Sequence, residues 1–574
     1  MKLHLTRDLR AAVMAVLAIG TFTLAADPER PYFIQIEGGD ITEDIRSYQG
    51  LLSDEDDVAN KAQSYVKDSS NTAAITGSFN MDTRLIVREG TLSVSNATIT
   101  QQCNGIGDFL IVGGNKVDNV STTLILDKAQ IIQTDAGYSG YNKSITVGNK
   151  DGEGSLIMRN NSVVKSGQLF HGGYYSYNDV AKGSYKNTTG NETYFANDTP
   201  KAGHLQIESG SKLYAGTGYM ICDMDITIDG VGSEFIGCSR SMIDSGAGSA
   251  SWLGDNDGCT SKIDVKAGGA MKTYNRLHMS DSNAETHITV SGNKKENKNS
   301  LFAAYNRVSL ATQSKQGTVS ITANDNATVH LADATMGAAG ASNKVTIDID
   351  GTSSYTGMAL TLNEGAEFKN NGRVELTSGT IITKWRDDRH IGLEASLPDY
   401  ENARNPWDVQ SVDVASTLTM NGGKFTNNGT LSVDTINLNG GDLILGEGAT
   451  LELMLDDTAA LIFGDGSLEL AANTTLVNVK LIVNSISTFS MRSETVDFIL
   501  ASGNTQSVDD FYEMLESEEV QVTFEDAAGT ELSGYSIDRN EQGQLVVTES
   551  VPEPTTATLS LLALAGLAAR RRRK

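Results

Sequence analysis

Between about residues 84 and 487 the chain repeats one pattern: two apolar residues separated by a polar one, a short polar or glycine turn, then a further apolar residue. Leu92 and Val94 lead through Asn96 to Ile99, and Leu124 and Leu126 through Lys128 to Ile131. Leu205 and Ile207 lead through Gly210 to Leu213, Val319 and Ile321 through Asn324 to Val329, and Leu360 and Leu362 through Gly365 to Phe368. Alternation at period two predicts strands with one face buried, and the intervening Asn, Lys and Gly suit the tight turns between them. Later, Leu418-x-Met420, Leu443-x-Leu445 and Leu468-x-Leu470 follow one another at intervals of 25 residues, a period in the solenoid range. Strands this short cannot shield an apolar edge singly. Stacked in parallel at about 4.8 Å per layer, they bury a continuous interior. The expected fold is therefore all-β: a right-handed parallel β-helix over 84–487.

Both flanks change character, as the ends of a stack require. Residues 27–83 are expected to form an N-terminal cap, with a helix over the acidic stretch 54–67. Residues 488–550 are expected to form a small α+β C-terminal cap, with strands at 496–500, 520–524 and 545–547 and a helix at 508–515. Polar loops are expected at 175–200, 291–300 and 384–408. The 57 glycines against 7 prolines fit such a stack, because proline removes a ladder donor and glycine serves the corners.

The two ends read as addressing signals. Residues 1–26 have a basic start (Lys2, Arg7, Arg10), an apolar run and Ala25-Ala26, the layout of a cleavable signal peptide. Residues 551–574 hold Val551, Pro552, Glu553 and Pro554, an apolar stretch to Ala569, and the basic stop Arg570, Arg571, Arg572, Arg573 and Lys574. An apolar helix before this stop would cross the inner membrane with its cations on the cytoplasmic side. The three-part tail resembles the PEP-CTERM sorting segment. That resemblance implies passage through the inner membrane, an exosortase-type membrane protease as partner, processing near Pro552–Pro554, and delivery to the cell surface or beyond in a bacterium that makes exopolysaccharide. The repeat style, as in the segment from Asn421 to Leu431, resembles β-helical autotransporter passengers and related adhesins. It departs from them at the end, where an apolar stretch and a basic cluster stand in place of a membrane β-barrel.

Charge narrows the partners. The leader carries a net +2 and the last twenty residues five cations, so the mature chain would carry −34 against −27 for the whole. Such a field repels nucleic acid and anionic glycan. Four cysteines, Cys103, Cys222, Cys238 and Cys259, allow three disulfide connectivities. Cys222 with Cys238, or Cys238 with Cys259, would suit neighbouring layers. Their spacing is not that of a metal site, and no metal or cofactor is expected.

Candidate chemistry is sparse. Asp223, Asp225, Asp229, Glu234, Asp244, Asp255 and Asp257 lie in consecutive coils, where two facing carboxyls would serve glycoside cleavage. The segment Asp255-Asn256-Asp257-Gly258 hints at a calcium loop but lacks the EF-hand ligand pattern. Tyr174, Tyr175 and Tyr177 are the candidate glycan-contact residues, their rings suited to stacking on sugars. Trp385, His390 and Trp407 raise the same question in the last long loop. No nucleophile elbow, zinc helix, P-loop or dinucleotide fingerprint occurs. The expected function is non-enzymatic: an exported surface spacer or adhesin associated with extracellular polysaccharide or host glycan. The alternative is a glycan-binding or glycan-cleaving β-helix, either a lyase or a glycosidase.

Overall fold

The computed structural model describes residues 33–36, 39–41 and 64–386, the last with gaps at 82–83, 102–108, 114–121, 134–143, 149–151, 167–168, 174–201, 217, 238–240, 244–249, 255–257, 282, 294–295, 314–315 and 341. It also describes 410–453 apart from 447–448, and separate strands from there to Glu549. The chain divides into two units, Met1–Ser416 and Thr417–Lys574. Among the described residues the regular structure is strand, with no α-helix.

In the first unit each coil contributes to three parallel ladders. The first ladder aligns Leu92, Leu124, Leu156, Leu205, Ile226, Ile263, Ile288, Ile321, Ile347 and Phe368, each the register partner of the next. The second aligns Ile99, Ile131, Val164, Leu213, Phe235, Met271, Phe302, Val329, Tyr355 and Val374. The third runs from Val87 through Val112, Val147, Gly172, Ile221, Leu253, Met279, Leu310 and Met336 to Leu362. The apolar members described are essentially without solvent exposure. At about 1.5–3 kcal/mol for burying each large aliphatic side chain, these columns dominate the stability of the unit. The alternating positions seen in the sequence are thus the inward-facing ones.

Corners repeat as faithfully as strands. Between the first and second ladders, Asn96, Lys128, Asn160 and Asn161, Ser209 and Gly210, and Asp325 and Asn326 take positive φ. Buried serines sit just after them. The hydroxyls of Ser162, Ser211, Ser233, Ser300 and Ser353 accept from backbone amides of the preceding coil at 2.9–3.1 Å. Amides that the corner withdraws from the ladder are satisfied in this way. After the third ladder, Gly113, Gly148, Gly173, Cys222, Gly254, Ser280, Ala311 and Gly337 form a second corner column. Each donates its amide to a third-ladder carbonyl one coil earlier, at 2.7–2.9 Å.

The interior admits polar atoms where they are paired. Tyr219 packs against Phe235 at 5.3 Å and shares a 2.6 Å hydrogen bond with Thr273, both within the core. Burial raises its phenol pKa far above the usual range.

A three-stranded antiparallel sheet departs from the stack. Gly379–Arg386 pairs with Ser241–Ile243 on one side and with Gln410–Val414 on the other. Lys384, Trp385 and Arg386, expected in a polar loop, are strand residues, because their pairing partners lie far away in sequence.

The N-terminal expectation needs correction. Residues 64–67, read as the end of a helix, belong to the strand Ser64–Ile75, which pairs in parallel with Arg84–Ser95. Tyr65 and Val66 meet Leu85 and Ile86 there, and the ladder partner outweighs local helix propensity. Phe33–Ile36 and Gly39–Ile41 pair in turn with Ser64–Ile75, so parallel pairing already occurs within 27–83. Residues 54–63 lie outside the described residues.

In the second unit the interval of 25 marks one coil but not both. Leu443 meets Leu468 in register, whereas Leu443's earlier partner is Phe425 and Leu418 meets Ile436. Gly422 and Gly423 turn the chain within the strand Thr417–Asn427, between two ladders, as Gly440 and Gly441 do one coil later. The earlier coil is shorter because only Asp434 separates Val433 from Thr435, whereas Leu453 and Ala460 stand seven residues apart. Leu431, Leu451, Leu476 and Val522 form a further column. The strand Val520–Thr523 therefore adds to a parallel ladder, where a separate cap sheet was expected. Thr495–Asp497 and Leu545–Glu549 form antiparallel pairs with Ser490–Arg492 and Tyr535–Arg539. The helix expected at 508–515 falls outside the described residues.

Candidate functional site

The sequence-predicted site residues are not brought together in one place. Tyr174, Tyr175 and Tyr177, the tail from Val551 to Lys574, and Asp244, Asp255, Asp257, His390 and Trp407 lie outside the described residues. Cys103 and Cys238 do as well. No helix among the described residues is long and apolar enough to cross a membrane, and 555–569 is not among them.

Four of the candidate carboxylates are described, and cations of adjacent coils meet two of them. Asp229 is 3.4 Å from the Lys266 ammonium, and Glu234 lies 3.5 Å from Lys212 and 3.4 Å from Lys272. Asp127 with Arg159 at 2.9 Å, and Asp333 with Arg307 at 3.7 Å, repeat the pattern. These pairs bridge neighbouring coils, and half-exposed bridges of this kind are worth only about 0–1 kcal/mol each. They stitch the outer faces of the stack.

Asp223 differs. It turns the corner after Cys222 at φ 52, and its carboxyl pKa is raised, chiefly by burial and then by the Asp225 and Glu153 carboxylates, with His204 acting the other way. A carboxyl that holds its proton more tightly folded than unfolded favours the fold below the unfolded pKa, and that contribution is lost as pH rises through the folded value. Asp223→Asn removes the ionisation and keeps a side chain tolerant of the left-handed backbone. It is expected to raise the melting midpoint at pH 7, by a small amount because the group is partly exposed and screened by solvent. In thermal melts at about pH 3, below the unfolded pKa, the gain should vanish.

The outer face of the second ladder carries an aromatic stripe that composition did not reveal. Tyr274 stacks on Tyr305 at 4.9 Å, Tyr305 lies 5.0 Å from His330, and the Lys165 ammonium stands 5.1 Å over the Tyr214 ring. Burial raises the pKa values of Tyr214, Tyr274 and Tyr305, and the Glu234 carboxylate adds to the shift in each. Burial also lowers that of His330. Stacked phenols beside a carboxylate would suit a sugar ring, yet Tyr214 and Tyr274 are buried and Ile382 of the antiparallel sheet packs against their cluster. Asn306 donates to the Ile382 carbonyl at 2.9 Å and holds the covering strand in place. The stripe is a packing surface for the departing sheet.

A second grouping lies on the outer face of the third ladder. Trp252 stacks on His278 at 4.1 Å and 15°, and His278 Nδ1 lies 2.7 Å from Asp281 Oδ2. Asp281 Oδ1 accepts the amides of Thr312 at 3.0 Å and Gln313 at 3.4 Å. The carboxylate thus orients the imidazole and anchors the next coil's turn. Among the described residues no hydroxyl bonds to His278 Nε2. The signal for it was thin: Trp252 and His278 occupy matching outward positions in neighbouring strands. Among the described residues no three His, Cys, Asp or Glu side chains gather as a metal site.

No curated protein and no solved structure matches the chain. Residues 550–574 match the family model of the PEP-CTERM protein-sorting motif, which indicates an exported protein handed to an exosortase-type membrane protease and sorted toward the cell surface.

Proposed function

We propose that the mature chain is a structural or adhesin-like surface protein whose parallel solenoid presents its insertions to extracellular polysaccharide. The observation that carries this reading is the combination of unbroken in-register ladders with a sorting tail: the strands serve the stack, and the tail serves delivery. Right-handed coiling is part of the proposal, because a strand–crossover–parallel strand connection is right-handed in nearly all sheets. So is closure of the stack by residues of 27–83 and 488–550, with the solenoid of 84–487 extended into both flanks by the parallel strands Ser64–Ile75 and Val520–Thr523. Binding through several loops at once would act by avidity and would need no catalytic group.

The test begins with the tail. Chain recovered from the surface or medium of producing cells is expected to lack about twenty C-terminal residues by mass, because processing near Pro554 removes the apolar stretch and basic stop. A variant with Pro552, Glu553 and Pro554 replaced by alanine should remain in the inner-membrane fraction at full C-terminal length. Surface delivery of the intact tail would refute sorting through it. The purified mature chain should then bind polysaccharide from producing cells without shortening it. Turnover abolished by changing a single carboxylate would favour the glycan-cleaving alternative instead.

A further inference from the structure

Cys222 and Cys259 occupy matching positions in neighbouring coils. Asp225 is the register partner of Lys262, and the same offset of 37 residues separates Cys222 from Cys259. Read back from the first ladder, that offset sets Cys222 against Cys259, while the third ladder, pairing Ile221 with Leu253, sets Cys222 against Gly254. The two cysteines meet at the corner between these ladders, where the later coil has more residues. Both are buried, and they pack in one cluster with Ala284, which stands at the same position one coil further on. Adjacent strands lie about 4.8 Å apart, within the roughly 4.4–6.8 Å between Cα atoms that a disulfide spans.

We propose that Cys222 and Cys259 are a modification site, joined as a disulfide that closes one coil of the solenoid. The proposal rests on export, since an oxidising compartment is where such bonds persist. Each thiol gives up a proton, and the pair gives up two electrons to a disulfide-donating oxidant of that compartment, which becomes a dithiol as the S–S bond forms. Because both sulfurs are buried in the finished stack, the bond forms while the coil is closing.

The coil it closes contains the excursion Ser241–Ile243, which pairs with Gly379–Arg386 of the antiparallel sheet. Without a bond, pull on that excursion is resisted by ladder hydrogen bonds and by packing of the buried columns, and no covalent link joins the two ends of its coil. A bond between Cys222 and Cys259 fixes the two ends of the excursion's coil to each other. This pairing differs from those suggested by spacing, both of which use Cys238.

The chain recovered from the envelope of producing cells would be denatured, alkylated without reduction, and cut at Glu234 and Arg240, which places Cys222, Cys238 and Cys259 on separate peptides. The expected product is a Cys222–Cys259 linked pair, two hydrogens lighter than the thiols and released by reductant. Cys222→Ser should leave Cys259 fully alkylated. A second arm separates this idea from the export reading: chain made without its leader, purified reduced and then folded in a glutathione redox buffer, should form the same bond. Alkylation of both cysteines in that arm, or a bond from either one to Cys103 or Cys238, overturns the proposal. A chain that never leaves the cytosol overturns export and leaves the second arm to decide the disulfide.

Discussion

Ile288→Asp should abolish cooperative folding of the coils around it. Ile288 lies between Ile263 and Ile321 in a run of five isoleucines, Ile226 to Ile347, paired coil to coil, and its side chain has essentially no contact with solvent. An aspartate there must either bury an unpaired charge or take up a proton, and it also loses the aliphatic packing. The expected cost is on the order of 4 kcal/mol or more. Ile288→Val, which removes one methyl, should cost only about 1 kcal/mol. Coils of a solenoid stabilise only their neighbours, so the loss should be local. Hydrogen exchange should show protection lost at Ile263 and Ile321 and kept at Leu92 and Leu124. Wild-type protection at Ile263 and Ile321 in the aspartate variant would refute the interior column.

Gly173→Ala should be the most damaging single-methyl change at a corner. Gly173 has φ +63, and a Cβ there would overlap the Cys222 carbonyl oxygen and stand 2.7 Å from that of Asp223. Both obstacles are backbone, so no rotamer change relieves them. Displacing them also strains the bond from the Cys222 amide to the Gly172 carbonyl. The left-handed conformation alone costs a non-glycine residue about 1–2 kcal/mol. With the collision added, about 3 kcal/mol or more is expected in denaturant melts. Gly340→Ala is the control: φ is +68, but nothing lies within 4 Å of the added Cβ, so only the conformational cost should appear. Equal losses for the two variants would show that close approach of the coils does not govern this corner.

What the sequence disclosed follows from where the information is stored. Leu124, Leu126, Lys128 and Ile131 declare a strand, a corner and a second strand because period-two burial and a left-handed turn are local requirements. Register is not local. Leu418 and Leu443 share a motif at the spacing of a coil, yet Phe425 is the residue that meets Leu443, since Gly422 and Gly423 place a corner inside the strand. Ser64 to Lys67 carry too weak a helical signal to compete with a ladder partner. The antiparallel sheet was hidden for the same reason, because Ile243 and Lys384 pair across more than a hundred residues. The buried serines were unreadable because a serine in a polar turn looks the same whether its hydroxyl meets water or the preceding coil's amide. Of the candidate chemistry, the sorting tail was legible because its recognition depends on contiguous residues, while Trp252, His278 and Asp281 meet only through the stack.

The isoleucine run has a genetic corollary. Removing residues 260–284 would carry Ile263 away and leave Ile226 facing Ile288, the same chemical pair that each of them makes now. Duplicating that stretch would be equally silent at the new junction. Unequal crossing-over within the gene can therefore lengthen or shorten its product in steps of one coil, without any compensating substitution in the column.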